Sequence, residues 1–214
     1  MAKPNGTFIV FEGGDGVGKS IQAALLAEAL AANGAVTSFK FPRKETAFGA
    51  LVYECLDGYH GDFLELSPYL ASLPYAIDQA IARRDLEVAL SKGHVVCDRY
   101  VGSNLAFQAA KCSGSMRRKV IEFIEHTTHD DLGALRPDLV IYLDVPADVS
   151  SGLVGAKKDQ HEEDLRYQEV VRGTYRMLAQ ERPEWRTIQC MKGSALRSPQ
   201  DIRQEIFELV QEIV

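Results

Sequence analysis

The sequence predicts an α/β fold in which a five-stranded, mainly parallel sheet is flanked by helices, in a single domain spanning residues 1–214. Three observations support this class. Five short apolar runs are distributed along the chain, stretches with helical periodicity separate them, and a glycine-rich loop joins the first run to the first helix. Right-handed crossovers between parallel strands would gather the carboxyl ends of the strands at one edge of the sheet.

The segment 7–20, TFIVFEGGDGVGKS, joins the first predicted strand to the first predicted helix. Its opening residues form a β-branched and aromatic run bounded by glycine, which is typical of a buried strand. Gly13, followed by four residues and then Gly18, Lys19 and Ser20, matches the phosphate-binding loop pattern. A chance glycine-rich turn is the alternative, but a match that lies between a strand and a helix favours a site for nucleotide phosphates.

Each position of this loop has a physical role in binding phosphate. Glycines let backbone N–H groups turn towards an anion, and the following helix adds its unpaired N-terminal N–H groups and the positive end of its dipole. Lys19 can reach the β- and γ-phosphates, and the hydroxyl of Ser20 suits Mg²⁺. The residues predicted to hold the phosphates are Gly13, Gly14, Asp15, Gly16, Val17, Gly18, Lys19 and Ser20.

Hydrophobic periodicity and turn residues define the other elements in order. Further strands are predicted at residues 36–41, 94–100, 139–145 and 185–191. Helices are predicted at residues 19–32, 47–56, 67–90, 103–111, 115–128, 166–180 and 198–213, and another begins at Pro146. Pro74 predicts a kink or a break in its helix, because proline lacks an N–H group. Residues 150–163, which are small and then charged, predict a mobile loop bounded by helices.

Polar side chains lie where the second and third strands reach the carboxyl edge of the predicted sheet. Asp98 ends an apolar strand, so it can hold Mg²⁺ beside Ser20, and the adjacent Arg99 can bind a phosphate with two N–H groups. An ordinary Asp–Arg salt bridge is the structural alternative. Residues 41–44, FPRK, end the second strand, where ligands of open α/β sheets bind. Convergence of these segments with the phosphate-binding loop predicts catalysis rather than binding alone.

Composition limits the classes of binding partner and the cellular compartment that we expect for this protein. A net charge of −6 argues against a broad nucleic-acid-binding surface. The four cysteines are far apart and form no Cys-x-x-Cys pair, so we expect reduced packing cysteines and no zinc site. The first six residues carry no apolar signal core, and no run reaches 18 apolar residues. We therefore expect a cytoplasmic protein whose partners include neither a nucleic acid nor a membrane.

Sequence blocks in order along nearly the whole chain resemble those of the thymidylate kinase family of nucleoside monophosphate kinases. The phosphate-binding loop with Asp15 inside it and Gln22 after it is similar to the opening of that family. The further blocks are FPRK at 41–44, PYAID at 74–78, DRYVGSNLAFQAAK at 98–111, PDLVIYLDV at 137–145 and DQHEEDLRYQ at 159–168. The resemblance implies a P-loop kinase fold, ATP and Mg²⁺ as cofactors, transfer of a phosphoryl group to dTMP to give dTDP, and a two-fold homodimer.

The resemblance also implies roles for individual residues. Those implied to act on the transferring phosphates are Asp15, Lys19, Asp98, Arg99, Lys157 and Lys158, with Mg²⁺ held by Ser20 and Asp98. Those implied to bind the acceptor are Phe41, Arg43, Lys44, Tyr75, Gln79, Arg99, Asn104 and Phe107. Asp15 would contact the 3′-hydroxyl of the acceptor, and Tyr75 would stack on thymine. Without the family blocks, Tyr75 and Phe107 would be interpreted as ordinary core aromatics.

At two positions the sequence departs from the family pattern, so the sequence alone does not determine the identity of the acceptor or the turnover rate. Gln79 stands where the family usually has an arginine that helps to read the pyrimidine, so base selectivity can differ. The lid implied at residues 150–163 offers Lys157 and Lys158 where related enzymes supply arginines, and a lysine is a point charge rather than a bidentate fork. The alternatives are therefore a kinase for another pyrimidine nucleotide or nucleoside, and a nucleotide-binding protein with impaired catalysis.

Overall fold

The computed structural model describes residues 6–152 and 165–213 and contains one central parallel sheet. Its strands are β1 (Phe8–Glu12), β2 (Val36–Lys40), β3 (His94–Asp98), β4 (Leu139–Asp144) and β5 (Trp185–Gln189). The strand order is β2-β3-β1-β4-β5, and every neighbouring pair is parallel. The predicted class, an α/β fold with a five-stranded parallel sheet, is confirmed.

Helices flank both faces of the sheet. They are α1 (Lys19–Ala31), α2 (Ala47–Leu56), α3 (Pro68–Ile81), α4 (Arg83–Lys92), α5 (Val101–Ala110), α6 (Gly114–Glu125), α7 (Ala147–Ser151), α8 (Leu165–Glu181) and α9 (Pro199–Gln211). A segment of π-helix, His126–Asp131, continues α6. A hairpin of β6 (Met191–Lys192) and β7 (Ala195–Leu196) follows β5, so the fifth strand leaves the sheet after Gln189 instead of continuing to residue 191 as predicted.

The interruption predicted in the helix at 67–90 lies at Ala82 rather than at Pro74. Ala82 separates α3 from α4, while Pro74 lies inside α3. Pro74 shares the outward face of α3 with Leu70, which is 58% exposed. Proline at this position removes the N–H that would donate to the carbonyl group of Leu70, yet α3 continues as a helix to Ile81.

Successive side chains of the central strands point to opposite faces of the sheet, which divides the core into two layers. Phe8 and Val10 of β1 pack with residues of α5, α6 and α8, whereas Ile9 and Phe11 pack with residues of α1 and α9. Because all five strands are parallel, the polar segments that follow them meet at the carboxyl edge of the sheet. Within residues 6–152 and 165–213, no helix is long and apolar enough to cross a membrane.

Candidate active site

The phosphate-binding loop connects β1 to α1, and its shape depends on two glycines. Gly18 has a φ of 89° immediately before α1, in the left-handed region that residues with a Cβ rarely adopt. A Cβ added at Gly13 would lie 2.9 Å from the carbonyl oxygen of Leu143 on β4. Glycine at these two positions therefore lets the loop pack against the sheet and lead directly into the N-terminus of α1.

Lys19, the first residue of α1, is only 6% exposed. Its Nζ donates to the carbonyl oxygen of Gly14 at 2.5 Å, so the ammonium group lies against the loop. Burial and the positive charge of Arg99 lower the pKa of Lys19 to about 7, although nearby carboxylates act in the opposite direction. A phosphate bound in the loop would offset the cost of burying this charge.

Ser20 and Asp98 supply the oxygen atoms of a candidate Mg²⁺ site. Ser20 Oγ donates to Asp98 Oδ2 at 2.5 Å, and Asp98 Oδ1 is buried without a hydrogen-bond partner among the described residues. Burial would raise the pKa of Asp98, but the hydrogen bond from Ser20 and the surrounding cations lower it. An ionised carboxylate and a hydroxyl are hard ligands that fit Mg²⁺.

The described side chains alone would not complete the coordination of this ion. No cluster of three or more His, Cys, Asp or Glu side chains suited to a metal occurs in the part of the chain that the structure describes. Phosphate oxygens and water would therefore supply the other ligands, as Mg²⁺ commonly requires when it binds with a nucleotide.

Lys40 is a further cation at this edge that the sequence analysis missed. Its Nζ lies 3.4 Å from Asp98 Oδ2, and its side chain is 62% exposed. Lys40 ends β2 and stands opposite Asp98 in the register of the sheet. A lysine near the end of a predicted strand indicates a cation at the edge of the sheet. It can be assigned to the Asp98 site only once β2 is known to pair with β3.

Arg99 occupies a constrained position directly after β3. Its φ is 66°, a left-handed value that is uncommon for a residue other than glycine. The guanidinium donates to Gly13 O at 3.2 Å and to Ser103 Oγ at 3.0 Å, and it forms an ion pair with Asp15. Its central carbon lies 5.4 Å from the centre of the Phe107 ring. Arg99 is therefore a fixed cation at the phosphate-binding loop.

A cavity of about 310 Å³ opens at the carboxyl edge beside this loop. The aromatic residues Phe41, Tyr75 and Phe107 line it, together with Gln79, whose side chain is buried. Five of the residues predicted to act on phosphate or Mg²⁺ line the same cavity: Asp15, Lys19, Ser20, Asp98 and Arg99. The structure thus brings residues from four separate segments of the chain around one space.

Three residues predicted to bind the acceptor do not line this cavity. Arg43 is buried, and its Nε and backbone N donate to the carboxylate of Asp78 at 3.0 and 2.9 Å. Lys44 Nζ lies 5.6 Å from the centre of a tyrosine ring of α2. Asn104 Nδ2 donates to the carbonyl oxygen of Ser72 at 3.0 Å. These contacts fasten the loop after β2 and the helix α5 to neighbouring helices.

Lys157, Lys158 and most of the loop predicted at 150–163 lie outside the described residues. Helix α8 begins at Leu165, and its Gln168 Nε2 donates to Asp15 Oδ2 at 3.2 Å. The helix that follows the predicted lid therefore contacts the phosphate-binding loop directly.

Comparisons with known proteins find the same family that the sequence blocks resemble. The sequence profile described as thymidylate kinase matches residues 11–206. The chain is similar to a thymidylate kinase from Synechococcus sp. (strain JA-2-3B'a(2-13)), with 33% identity over 206 residues that cover 95% of this chain and 94% of the relative. It is also similar to a probable thymidylate kinase from Thermococcus onnurineus, with 34% identity over 212 residues that cover 95% of this chain and 97% of the relative.

A solved structure extends the comparison to the fold. The chain is similar to the thymidylate kinase from Candida albicans, with a TM-score of 0.78, 22% identity, and coverage of 97% of this chain and 92% of that chain. Identity this low supports the fold alone. The fold is that of a P-loop kinase, in agreement with the glycine-rich loop between β1 and α1.

Proposed function

Because this chain belongs to the thymidylate kinase family of phosphotransferases, we propose that it transfers the γ-phosphoryl group of ATP to dTMP and gives dTDP. One observation carries the proposal: an anion site and an aromatic-walled space share one cavity at the sheet edge. Lys19, Asp98 and Arg99 line that cavity together with Tyr75 and Phe107. Two nucleotides could therefore meet there with their phosphates end to end and their bases apart.

The described side chains suit phosphoryl transfer, which depends on positioning and charge neutralisation more than on a strong base. The phosphate-binding loop and Lys19 would hold the β- and γ-phosphates of ATP. Arg99 would turn N–H groups that now pair with Asp15 towards the transferring phosphoryl group. Ser20 and Asp98 would hold Mg²⁺, which when bound neutralises charge on the phosphate oxygens.

We assign the acceptor base to the aromatic part of the cavity, between Tyr75, Phe107 and Phe41. Gln79 is 1% exposed, and its Oε1 has no hydrogen-bond partner among the described residues. An amide can donate to a pyrimidine carbonyl and can also accept from a ring or amino N–H. Gln79 is thus compatible with thymine but also with other pyrimidines, and it motivates the second candidate function, a kinase for another pyrimidine nucleotide or nucleoside.

A panel of acceptors tests the proposal. With ATP and Mg²⁺, we expect kcat/KM for dTMP to exceed that for dCMP, dUMP and thymidine by at least about tenfold. A tenfold preference for one of the others would reject dTMP in favour of the second candidate. Binding of ATP without turnover on any acceptor would favour a nucleotide-binding protein with impaired catalysis.

The same panel tests the role of Gln79. Gln79→Arg should lower KM for dTMP roughly three- to tenfold, because a hydrogen bond from a charged donor to the base carbonyl is stronger than one from an amide. Gln204→Arg, an equal change of charge on the exposed side of α9, should leave KM unchanged. An unchanged KM in Gln79→Arg would mean that residue 79 does not face the base.

We further propose a homodimer formed through the outward face of α3. Leu70, Leu73, Ile77 and Ile81 lie at helical spacing on that face, and Leu70 and Ile81 are 58% and 54% exposed. A second copy would cover this apolar stripe by two-fold symmetry. Sedimentation equilibrium should give the mass of two chains, and Leu70→Asp should shift it towards one. A wild-type mass of one chain would refute the dimer.

We also propose a role for two lysines of the lid, a cytoplasmic location and a nucleotide as the partner. Lys157 and Lys158 would bring positive charge to the transferred phosphoryl group from a lid at about residues 150–163. The four cysteines form no disulfide with one another, which supports a reducing compartment such as the cytoplasm. The net charge of −6 supports a nucleotide rather than a nucleic acid as the partner.

A further inference from the structure

Glu12 ends β1 with its carboxylate fully buried, at 0% exposure. Its Oε2 accepts from Ser103 Oγ at 2.6 Å and from Tyr175 OH at 3.0 Å, and its Oε1 accepts from the backbone N of Tyr100 at 2.9 Å. Both carboxylate oxygens are therefore held by donors from distant segments. A Cβ added at Gly102 would lie 2.8 Å from Oε1, so the carboxylate has little room to shift.

The same hydrogen-bond network reaches the guanidinium of Arg99. Ser103 Oγ donates its proton to Glu12 and accepts from Arg99 Nη1 at 3.0 Å. Tyr100, whose backbone N donates to Glu12, directly follows Arg99 and so helps to hold its left-handed φ of 66°. Glu12 does not itself line the cavity. It therefore restrains Arg99 through both side chain and backbone without contacting a bound nucleotide.

Burying the carboxylate of Glu12 costs free energy, because the charge loses its hydration. Packing of the core alone does not explain why a charged side chain occupies this position. Burial raises the pKa of Glu12, while the hydrogen bonds that it accepts and the charge of Arg99 act in the opposite direction. A well-packed apolar side chain would avoid the desolvation of a charge at this position. The carboxylate instead supplies directional acceptors for three donors, which an apolar side chain cannot do.

We propose that Glu12 is a positioning residue for phosphoryl transfer, whose carboxylate orients the Ser103 hydroxyl and thereby sets the place of the Arg99 guanidinium. The inference rests on the proposed function, in which Arg99 contacts the transferring phosphoryl group. Once phosphate oxygens replace Asp15 as a partner, the bonds from Arg99 to Ser103 and Gly13 remain to hold the guanidinium. A misplacement of about 1 Å can cost roughly 100-fold in rate.

Kinetics of Glu12→Gln, Ser103→Ala and the double variant test this role. Each single variant should lower kcat roughly 30- to 100-fold while changing KM for both nucleotides less than about threefold, because the loss falls on the transition state. The double variant should be within about threefold of the slower single variant, because both changes act through the one guanidinium. Multiplied losses, or a kcat of Glu12→Gln within threefold of wild type, would overturn the proposal.

Tyr142→Phe is the matched control. It removes a buried hydroxyl from a ring that stacks on Tyr175 at 5.2 Å, but this hydroxyl bonds to Asp144 instead of Glu12. It should lower thermal stability much as Ser103→Ala does, since each loses a buried hydrogen bond, yet its kcat should stay within about twofold of wild type. A kcat loss in Tyr142→Phe equal to that in Ser103→Ala would show that packing, and not orientation of Arg99, sets the rate.

Crystal structures of wild type and Glu12→Gln test the positioning role of Glu12 independently of the proposed function. In Glu12→Gln, the distance from Arg99 Nη1 to Gly13 O or to Ser103 Oγ should exceed hydrogen-bonding range. An unmoved guanidinium would overturn the positioning role even if wild type proved to act on another acceptor. Absence of turnover in wild type would overturn the proposed function, while the two structures would still decide whether Glu12 places Arg99.

Discussion

Replacement of Lys19 by methionine should lower kcat roughly 1000-fold, the largest loss expected for any single side chain here. Lys19 is almost fully buried, and within the part of the chain that the structure describes its ammonium group donates only to the carbonyl oxygen of Gly14. Its charge is therefore available to phosphate oxygens as they gain charge in the transition state. Steady-state kinetics with ATP and dTMP measure the loss, and thermal unfolding checks that the variant is folded.

A lysine far from the site provides the control for this variant. Lys92→Met removes an exposed positive charge at the end of α4 and should leave kcat within about twofold of wild type. If Lys19→Met kept more than a tenth of wild-type kcat while binding ATP normally, the main catalytic role that we assign to Lys19 would be wrong.

The lowered pKa of Lys19 predicts a second difference between wild type and Lys19→Met. With a pKa of about 7, Lys19 is mostly neutral at about pH 8 and mostly protonated at about pH 6. Bound phosphates favour the ammonium form, so ATP binding should take up close to one proton per site at pH 8 and far less at pH 6. Calorimetry in buffers of different ionisation enthalpy measures this uptake. Equal uptake by wild type and Lys19→Met would contradict the assignment.

Asp98→Asn should lower kcat roughly 100-fold and raise the Mg²⁺ concentration needed for half-maximal activity about tenfold or more. The amide keeps an acceptor for Ser20 Oγ but removes the negative charge from a buried ligand whose Oδ1 is unpaired among the described residues. Because the pKa of Asp98 is lowered, the carboxylate is ionised from about pH 6 to 9, and the loss should be uniform over that range. Magnesium titrations of activity at several pH values measure both effects.

Asp138→Asn is the matched control at the opposite edge of the sheet. Asp138 Oδ2 accepts from the backbone N of Phe8 at 2.8 Å, and an amide oxygen can preserve that bond. Its magnesium requirement should equal that of wild type. If Asp98→Asn showed the same requirement as Asp138→Asn, the metal assignment would be wrong.

Local patterns predicted the part of the site that lies between adjacent elements. The loop that includes Lys19 and Ser20 joins a strand to the helix that follows it, so glycine spacing and the apolar run contained the necessary information. Asp98 and Arg99 were predicted as site residues because they end an apolar strand. Each of these four residues lines the same cavity in the structure.

Contacts between distant segments could not be predicted in this way. Arg43 belongs to a charged loop and was predicted to flank the acceptor, but the carboxylate of Asp78, 35 residues away, holds it in a buried ion pair. Lys40 is near Asp98 only because β2 pairs with β3 in this register. Glu12 has no local sequence signal, since its donors Ser103 and Tyr175 lie 91 and 163 residues further along the chain.

The sequence by itself determined the alternation of strands and helices, the phosphate-binding loop and the family, because periodicity, glycine spacing and ordered motifs are properties of neighbouring residues. Only the tertiary structure decided which polar side chains share the cavity and which hold one another in place. The strand order β2-β3-β1-β4-β5 sets those neighbours. Burial and charge pairing then decide whether an ionisable side chain is available to substrate, and both depend on residues that are distant in sequence.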